Sequence, residues 1–342
     1  MREVDYKFEV LRNGVVIKHL SALGSPALKH QSSGTIMRSL TVQIEPVDGV
    51  NWYMDRIKPS MYLDGQWYPL GVFVVSSAPE DYRNGRSIIN IQAMDQTLLV
   101  QQMSTEGTLH LTAGTGYLSA ITALLIASGI PNAIADTNTD VLATDREDWD
   151  EGTKCIEIVN QLLGEIGYNP LWFDSSGMAR LTKYVAPNIA NITHIYKGDE
   201  ASLIADACKV VVDCYDPHNV FKAIVSNSDM AEPMVAVSVN ADPLSPISTA
   251  QLGRRIMAPV VKLDNIASQE ALQAYTDKMR GESLLTDEVI TFTTANVPTH
   301  GYLDTVAIEH ERIRGVYRET DWSMTLAYNG QMVHTAKRIL TI

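Results

Sequence analysis

Four dipeptides constrain this chain most: Asn13-Gly14, Asp64-Gly65, Asn84-Gly85 and Asn329-Gly330. Each lies between runs of strand-forming residues. A two-residue type I′ hairpin needs φ > 0 at both central positions, and Asn-Gly or Asp-Gly adopts this at least steric cost. The spacing therefore predicts antiparallel β-structure over roughly the first hundred residues and the last forty.

Residues 4–20 read as a hairpin, with Tyr6, Phe8 and Val10 before the turn and Val15 to Leu20 after it. Gly24, Ser25, Pro26, Ser32, Ser33 and Gly34 make 21–34 read as a long polar loop or arm, before a strand at 36–45. Around Asp64-Gly65, 60–76 reads as a second hairpin. Its return strand would set Trp67, Phe73 and Val75 on one face, and Tyr68, Leu70, Val72 and Val74 on the other. A strand apolar on both faces is central or lies against another subunit. After Asn84-Gly85, Ile89, Ile91 and Ala93 alternate with Asn90 and Gln92, and Asp95 leads into a short helical turn. Three hairpins in succession suggest a small barrel or sandwich.

The middle differs. A helix is expected over 115–129, capped by Thr115, stopped by Gly129, and apolar enough on most sides to be buried. A second, over 153–166, has Cys155, Ile156, Val159, Leu162, Leu163 and Ile166 on one face. Residues 168–173 and 178–184 should then pair across Asp174-Ser175-Ser176-Gly177. Further on, 208–215 should pair with 220–225 through Asp216-Pro217-His218-Asn219. Residues 240–260 read as an exposed loop. Ser268 should cap a helix over 269–280, and strands follow near 287–294, 303–309, 314–319 and 323–328.

At 342 residues the chain is long enough for about two to four domains. A net charge of −13 argues against non-specific binding to nucleic acid or anionic membranes. Cys155, Cys208 and Cys214 form neither a disulfide framework nor a zinc motif, and fit a chain made in a reducing cytoplasm. Cys208 and Cys214 share strand parity and are expected in a core. The N-terminus has no signal-peptide core. The apolar stretch Tyr117 to Ile130 is interrupted and too short for a bilayer.

No catalytic or cofactor motif stands out. Histidines 19, 30, 110, 194, 218, 300, 310 and 334 form no HxH, HxxxH or HExxH, although partners could meet in space. No phosphate loop or nucleophile elbow occurs. The one partial metal pattern is Asp136, Asn138 and Asp140 with Glu147, part of an EF-hand spacing. Val141 stands where that loop needs its turn glycine, so calcium is not expected there. Asp145, Glu147, Asp148, Asp150 and Glu151 read as a solvated run favouring the dipole of the helix that follows.

Three stretches together resemble the hub proteins of bacteriophage tails: the baseplate hub of contractile tails and tail-like particles, and its counterpart at siphophage tail tips. They are Ser87 to Asp95 with Leu98 and Leu99; Trp149 and Gly152 through Leu163, Gly167-Tyr168 and Phe173-Asp174 to Leu181; and Tyr302 to Val306, Tyr317 to Met324 and Asn329 to Met332. The resemblance implies a mainly β, α+β chain with two small tail-tube-like β-barrels, an inserted α/β domain and further C-terminal strands. The expected division is 1–105, 106–188 and 189–342, the last not necessarily contiguous. It also implies a non-enzymatic homotrimer joining the tail tube or distal tail protein to a spike or tail fibre. Other baseplate proteins would be neighbours. No cofactor, membrane or specific nucleic acid is implied. Such a protein is assembled in the bacterial cytoplasm and resides in the virion tail or a tail-like particle. The competing readings are a tail-associated cell-wall hydrolase and a carbohydrate-binding β-module using Trp52, Trp67, Trp172 and Trp322.

Overall fold

Asn13 (φ 50°) and Gly14 (φ 79°) close β1 (Val4–Arg12) on β2 (Val15–Leu20) in the expected two-residue turn. A computed structural model describes residues 3–339 apart from 84, 199–202, 213, 216, 227–231, 264, 284 and 312. The next strands are β3 (Ala22–Gln31), β4 (Arg38–Ile44), β5 (Arg56–Leu63) and β6 (Gln66–Pro69), followed by β7 (Phe73–Ser77), β8 (Glu80–Arg83) and β9 (Arg86–Asp95). Asp64 (φ 46°) and Gly65 (φ 99°) form the second such turn. Asn84 lies outside the described residues, but Arg83 pairs with Arg86 across it. Ile89, Ile91 and Ala93 all point inward, as their alternation predicts.

Two expectations fail here. Residues 21–34 are no arm, because β3 pairs with β4 on one side and β22 (Arg314–Thr325) on the other. The loop-like Gly24-Ser25-Pro26 sits in a bulge between Leu23 and Ala27, with Pro26 buried, and Leu28 and His30 face the core beyond it. The return strand of the second hairpin is also not continuous. Gly71 (φ 136°) breaks it, leaving Trp67 39% exposed while Phe73 is buried, so the two do not share a face.

The helix α1 (Thr97–Gln102) leads to the α/β unit: β10 (Leu109–Leu111), α2 (Tyr117–Ala127), β11 (Ala133–Ala135), β12 (Arg146–Trp149), α3 (Cys155–Glu165), β13 (Trp172–Phe173) and β14 (Ala179–Leu181). The periodicity of α3 holds, and Cys155, Ile156, Val159, Leu162 and Leu163 are buried. α2 buries only one face, through Tyr117, Ala120, Ile121 and Leu125, whereas Ile126 is 55% exposed. Its N-cap is Gly116 rather than Thr115, without a capping side chain.

Asp174 organises the turn from β13 to β14. Its Oδ1 accepts from the Ser176 amide (2.9 Å), Ser176 Oγ (2.6 Å) and the Met178 amide (3.0 Å), and its Oδ2 from Arg180 Nε (2.7 Å). Burial alone would raise this carboxyl's pKa. The hydrogen bonds and Arg180 outweigh burial and hold it below the ordinary value. A depressed carboxyl stabilises the fold above its unfolded pKa of about 3.9, and that stability is lost as pH falls through the folded value. The urea midpoint is therefore expected to fall below about pH 4, and less steeply in Asp174→Asn. Equal slopes would show that Asp174 contributes nothing to the acid limb.

The remaining elements are β15 (His194–Lys197), β16 (Ile204–Val212), β17 (Val220–Val225), β18 (Met234–Val239), α4 (Thr249–Leu252), β19 (Val261–Leu263), α5 (Gln269–Ser283), β20 (Leu285–Ala295), β21 (Thr305–Glu309), β22 and β23 (Gln331–Ile339). Ser268 Oγ accepts from the Ala271 amide at the start of α5, as expected of a cap, and the helix continues past Gly281. β16 pairs with β20 and β17 with β18, so among the described residues the expected pairing of 208–215 with 220–225 is not formed, and residues 213 and 216 lie outside the described residues. Asn219 instead anchors 240–260. Its side chain bonds the carbonyls of Ile247 and Arg254 and the Ile256 amide, so this segment is no loose loop. Cys208 is only partly buried and Cys214 is exposed, against the core placement expected of both. Asn329-Gly330 makes no type I′ turn: neither residue has positive φ, and Met324 pairs with Met332 across a longer loop.

The fold is mainly β, but its sheets are open. The main path of a fifteen-stranded sheet runs β16-β20-β23-β22-β3-β4-β9-β7-β5-β1-β2, with β15 on β21, β21 on β22, β6 on β5 and β8 on β9 off that path. The expected pair of closed barrels is not seen among the described residues. β3, misread as an arm, welds the N-terminal strands onto the C-terminal ones, and Trp322, Met324, Leu326 and Met332 complete the N-terminal core.

Candidate functional site

The partial calcium pattern does not converge. Asp136 Oδ2 accepts from the Lys183 amide (2.8 Å), Asn138 and Asp140 bond each other, and Glu147 on β12 pairs with His110 on β10 (2.7 Å). Among the described residues, no cluster of three potential metal-ligating His, Cys, Asp or Glu side chains includes Asp136, Asp140 or Glu147. Trp322 is buried on His30 and Trp172 stacks on Tyr302, the two pairs touching edge-on through His30 and Tyr302 (centroids 6.2 Å apart), while Trp67 lies under Lys7.

Space does unite residues that the sequence leaves scattered. His194, His300 and His334 meet around Asp304 and Glu319. Neither helical nor strand spacing links the three histidines, and only His300 and Asp304 are close in sequence. Inside the α/β unit, Arg146 and Glu165 form a buried ion pair that the sequence reading also missed.

The surface feature best placed for assembly lies at the two ends of the large sheet. On β2, Val15, Val16 and Ile17 are 65%, 43% and 40% exposed. On β16, Val210, Val211 and Val212 are 48%, 41% and 62% exposed. Among the described residues these strands end the sheet path, so the outer side of each apolar run faces no further strand. Monomeric proteins blunt such edges with charge. Here Lys18 on β2 is turned onto the Asp48 carbonyl (2.5 Å). Among the described residues, no helix is long and apolar enough to cross a membrane.

No protein-family model matches the sequence, and no curated protein matches it. Solved structures do. A tail protein from Neisseria meningitidis superposes with a TM-score of 0.68 at 14% identity, over 97% of this chain and 96% of its own. A prophage MuSo2 tail protein from Shewanella oneidensis gives 0.66 at 12% identity, over 98% of both chains. An E. coli component of the type VI secretion system, described as structurally similar to the T4 phage tail proteins gp27 and gp5, gives 0.53 at 10% identity, over 96% of this chain and 76% of its own. The chain thus has the fold of phage tail proteins, as its sequence resemblance implied.

Proposed function

We propose that this protein is a structural component of a phage-type tail: a homotrimeric hub joining the tail tube, or a distal tail protein, to a central spike or fibre within the baseplate. Its place is the virion tail or a tail-like particle. The reading is non-catalytic, with the chain divided at 1–105, 106–188 and 189–342. The shared fold supports the tail assignment. The exposed apolar edges carry the oligomeric part. β2 and β16 differ in sequence and lie at opposite ends of one sheet, so contact between them in different copies is head-to-tail. Such contacts generate either a ring or an open filament, and a soluble tail part requires the ring.

Light scattering on the purified chain should give three times 37.7 kDa. Val16→Lys and Val211→Lys each place charge on an exposed edge and should yield folded monomers, since surface substitutions usually change stability by no more than about 0.5 kcal/mol. A wild-type chain that stays monomeric at high concentration with a tube partner present would overturn the hub.

A further inference from the structure

Glu319 lies at a bulge in β22, where the register with β23 shifts between Glu319 and Asp321. Bulges re-aim side chains, and this one belongs to a buried cluster. His300 Nδ1 lies 2.6 Å from Glu319 Oε2, and His334 Nδ1 lies 2.5 Å from Oε1. The far nitrogens are held as well: His300 Nε2 is 2.6 Å from Tyr196 Oη, and His334 Nε2 is 2.8 Å from Thr294 Oγ1. From the other side, Asp304 Oδ2 accepts from the Gly301 amide (2.7 Å) and lies 3.4 Å from His194 Nε2 and 3.9 Å from His300 Nδ1. His300, His334 and Glu319 are enclosed, whereas the side chains of His194 and Asp304 keep 16% and 15% exposure and form the opening.

Charge is the unusual part. Among the described residues, every ion pair of Asp304 and Glu319 is with a histidine, and none is with lysine or arginine. With neutral imidazoles and both carboxyls ionised the cluster would carry two negative charges in a desolvated place, offset only by the Coulomb attraction of the more distant Arg38 for Asp304, which is costly without a further cation. We propose that it takes one divalent transition-metal ion, of the zinc class, between His300 Nδ1, His334 Nδ1 and Glu319, whose donor atoms lie within 4.8 Å of one another, with Asp304, 3.9 Å from His300 Nδ1, moving in as the fourth ligand. His194 closes the open side.

The donor set suits such an ion. Imidazole nitrogen with carboxylate oxygen favours zinc and its neighbours, whereas calcium and magnesium take oxygen ligands alone. Ligand bonds of about 2.0–2.2 Å set neighbouring donors roughly 3.3 Å apart in a tetrahedron. The pairs His300–Glu319 (2.6 Å), His334–Glu319 (2.5 Å) and His300–Asp304 (3.9 Å) each lie within about 1 Å of that spacing. His194 stacks on His300 with centroids 3.9 Å apart and planes 11° apart, so it must turn about its Cβ–Cγ bond to engage. The surroundings accommodate the ion's proton chemistry. Binding at Nδ1 moves each imidazole proton to Nε2, which then donates to Tyr196 or Thr294. The Tyr196 hydroxyl can donate before and accept after, and Thr294, whose hydroxyl donates to the Ala295 carbonyl (2.8 Å), is placed to accept from His334 Nε2.

The inference is independent of the hub reading. The test uses the full chain stripped with a chelator, titrated calorimetrically with zinc and spectroscopically with cobalt(II). One ion per chain is expected, with cobalt bands of a nitrogen- and oxygen-ligated ion and no competition by calcium. Asp304→Asn at the opening should weaken zinc at least tenfold while circular dichroism stays native, and His300→Ala should abolish uptake. Glu147→Gln should bind normally. No saturable uptake by the folded wild type would overturn the site. So would uptake unchanged in Asp304→Asn and His300→Ala, which would assign the metal to adventitious surface groups.

Discussion

Arg146→Met is expected to destabilise the α/β unit by about 3–5 kcal/mol, the range for removing one partner of a buried ion pair. Both side chains are nearly inaccessible, at 3% for Arg146 and 4% for Glu165. The guanidinium grips the carboxylate in bidentate fashion, with Nη1 to Oε2 at 2.8 Å and Nη2 to Oε1 at 3.0 Å. Arg146 also donates to Asp148 and lies over the Trp149 ring. Tyr117 Oη (3.0 Å) and Gln161 Nε2 (3.3 Å) donate to the same carboxylate, so β12, α2 and α3 meet at Glu165. Without Arg146 the carboxylate keeps only neutral donors. The loss should appear in the denaturant midpoint of the α/β unit. A companion variant separates loss of a contact from stranding of a charge: Arg146→Met with Glu165→Leu should recover most of the stability, because apolar replacement of a whole buried pair is often neutral or better. Equal destabilisation in single and double variants would mean that the pair itself, not the stranded charge, matters.

The sequence made local geometry legible where a single residue type decides it. Asn13-Gly14 and Asp64-Gly65 form the turns their positive φ demands, and the apolar face of α3 follows from its period. Asn329-Gly330 carries the same signal but lies in a longer loop, since Ala327 and Gly330 make their own tight hydrogen-bonded turn. Gly24-Ser25-Pro26 has loop composition, yet a bulge absorbs it and lets β3 cross from one half of the chain to the other. That error hid the open sheet, because pairing of β3 with β22 depends on residues about 290 positions apart. The histidine cluster was illegible for the same reason: its members come from β15, the loop before β21, β22 and β23, joined only by tertiary pairing. Composition also misled at 240–260, where buried Ser245 and Ser248 are anchors rather than solvated loop residues. Long-range pairing is not encoded in local propensity.

Gly177→Ala should cost about 2–5 kcal/mol, part of it from contact with another part of the chain. Gly177 has φ of 85°, where a Cβ costs about 1–2 kcal/mol in the left-handed region. It also faces Val72, just after the Gly71 break in the second hairpin. A Cβ at 177 would lie 2.6 Å from Val72 Cγ2 and 2.7 Å from Val72 Cβ. The approach is held by Gln96 Nε2, which donates to the Gly177 carbonyl at 2.6 Å. Thus the apolar residue that seemed to need another subunit packs against the chain's own α/β unit. Overpacking such a contact adds about 1–3 kcal/mol. Val72→Ala alone should be mild, and Val72→Ala with Gly177→Ala should regain only the part of the clash due to Val72 Cγ2, because the Cβ at 72 remains, and none of the backbone component. The double-mutant cycle would then show a coupling within the roughly 0.5–3 kcal/mol found for touching residues. Strict additivity in thermal unfolding would show that the turn moves away freely, and the contact between the two parts of the fold would lose its energetic role.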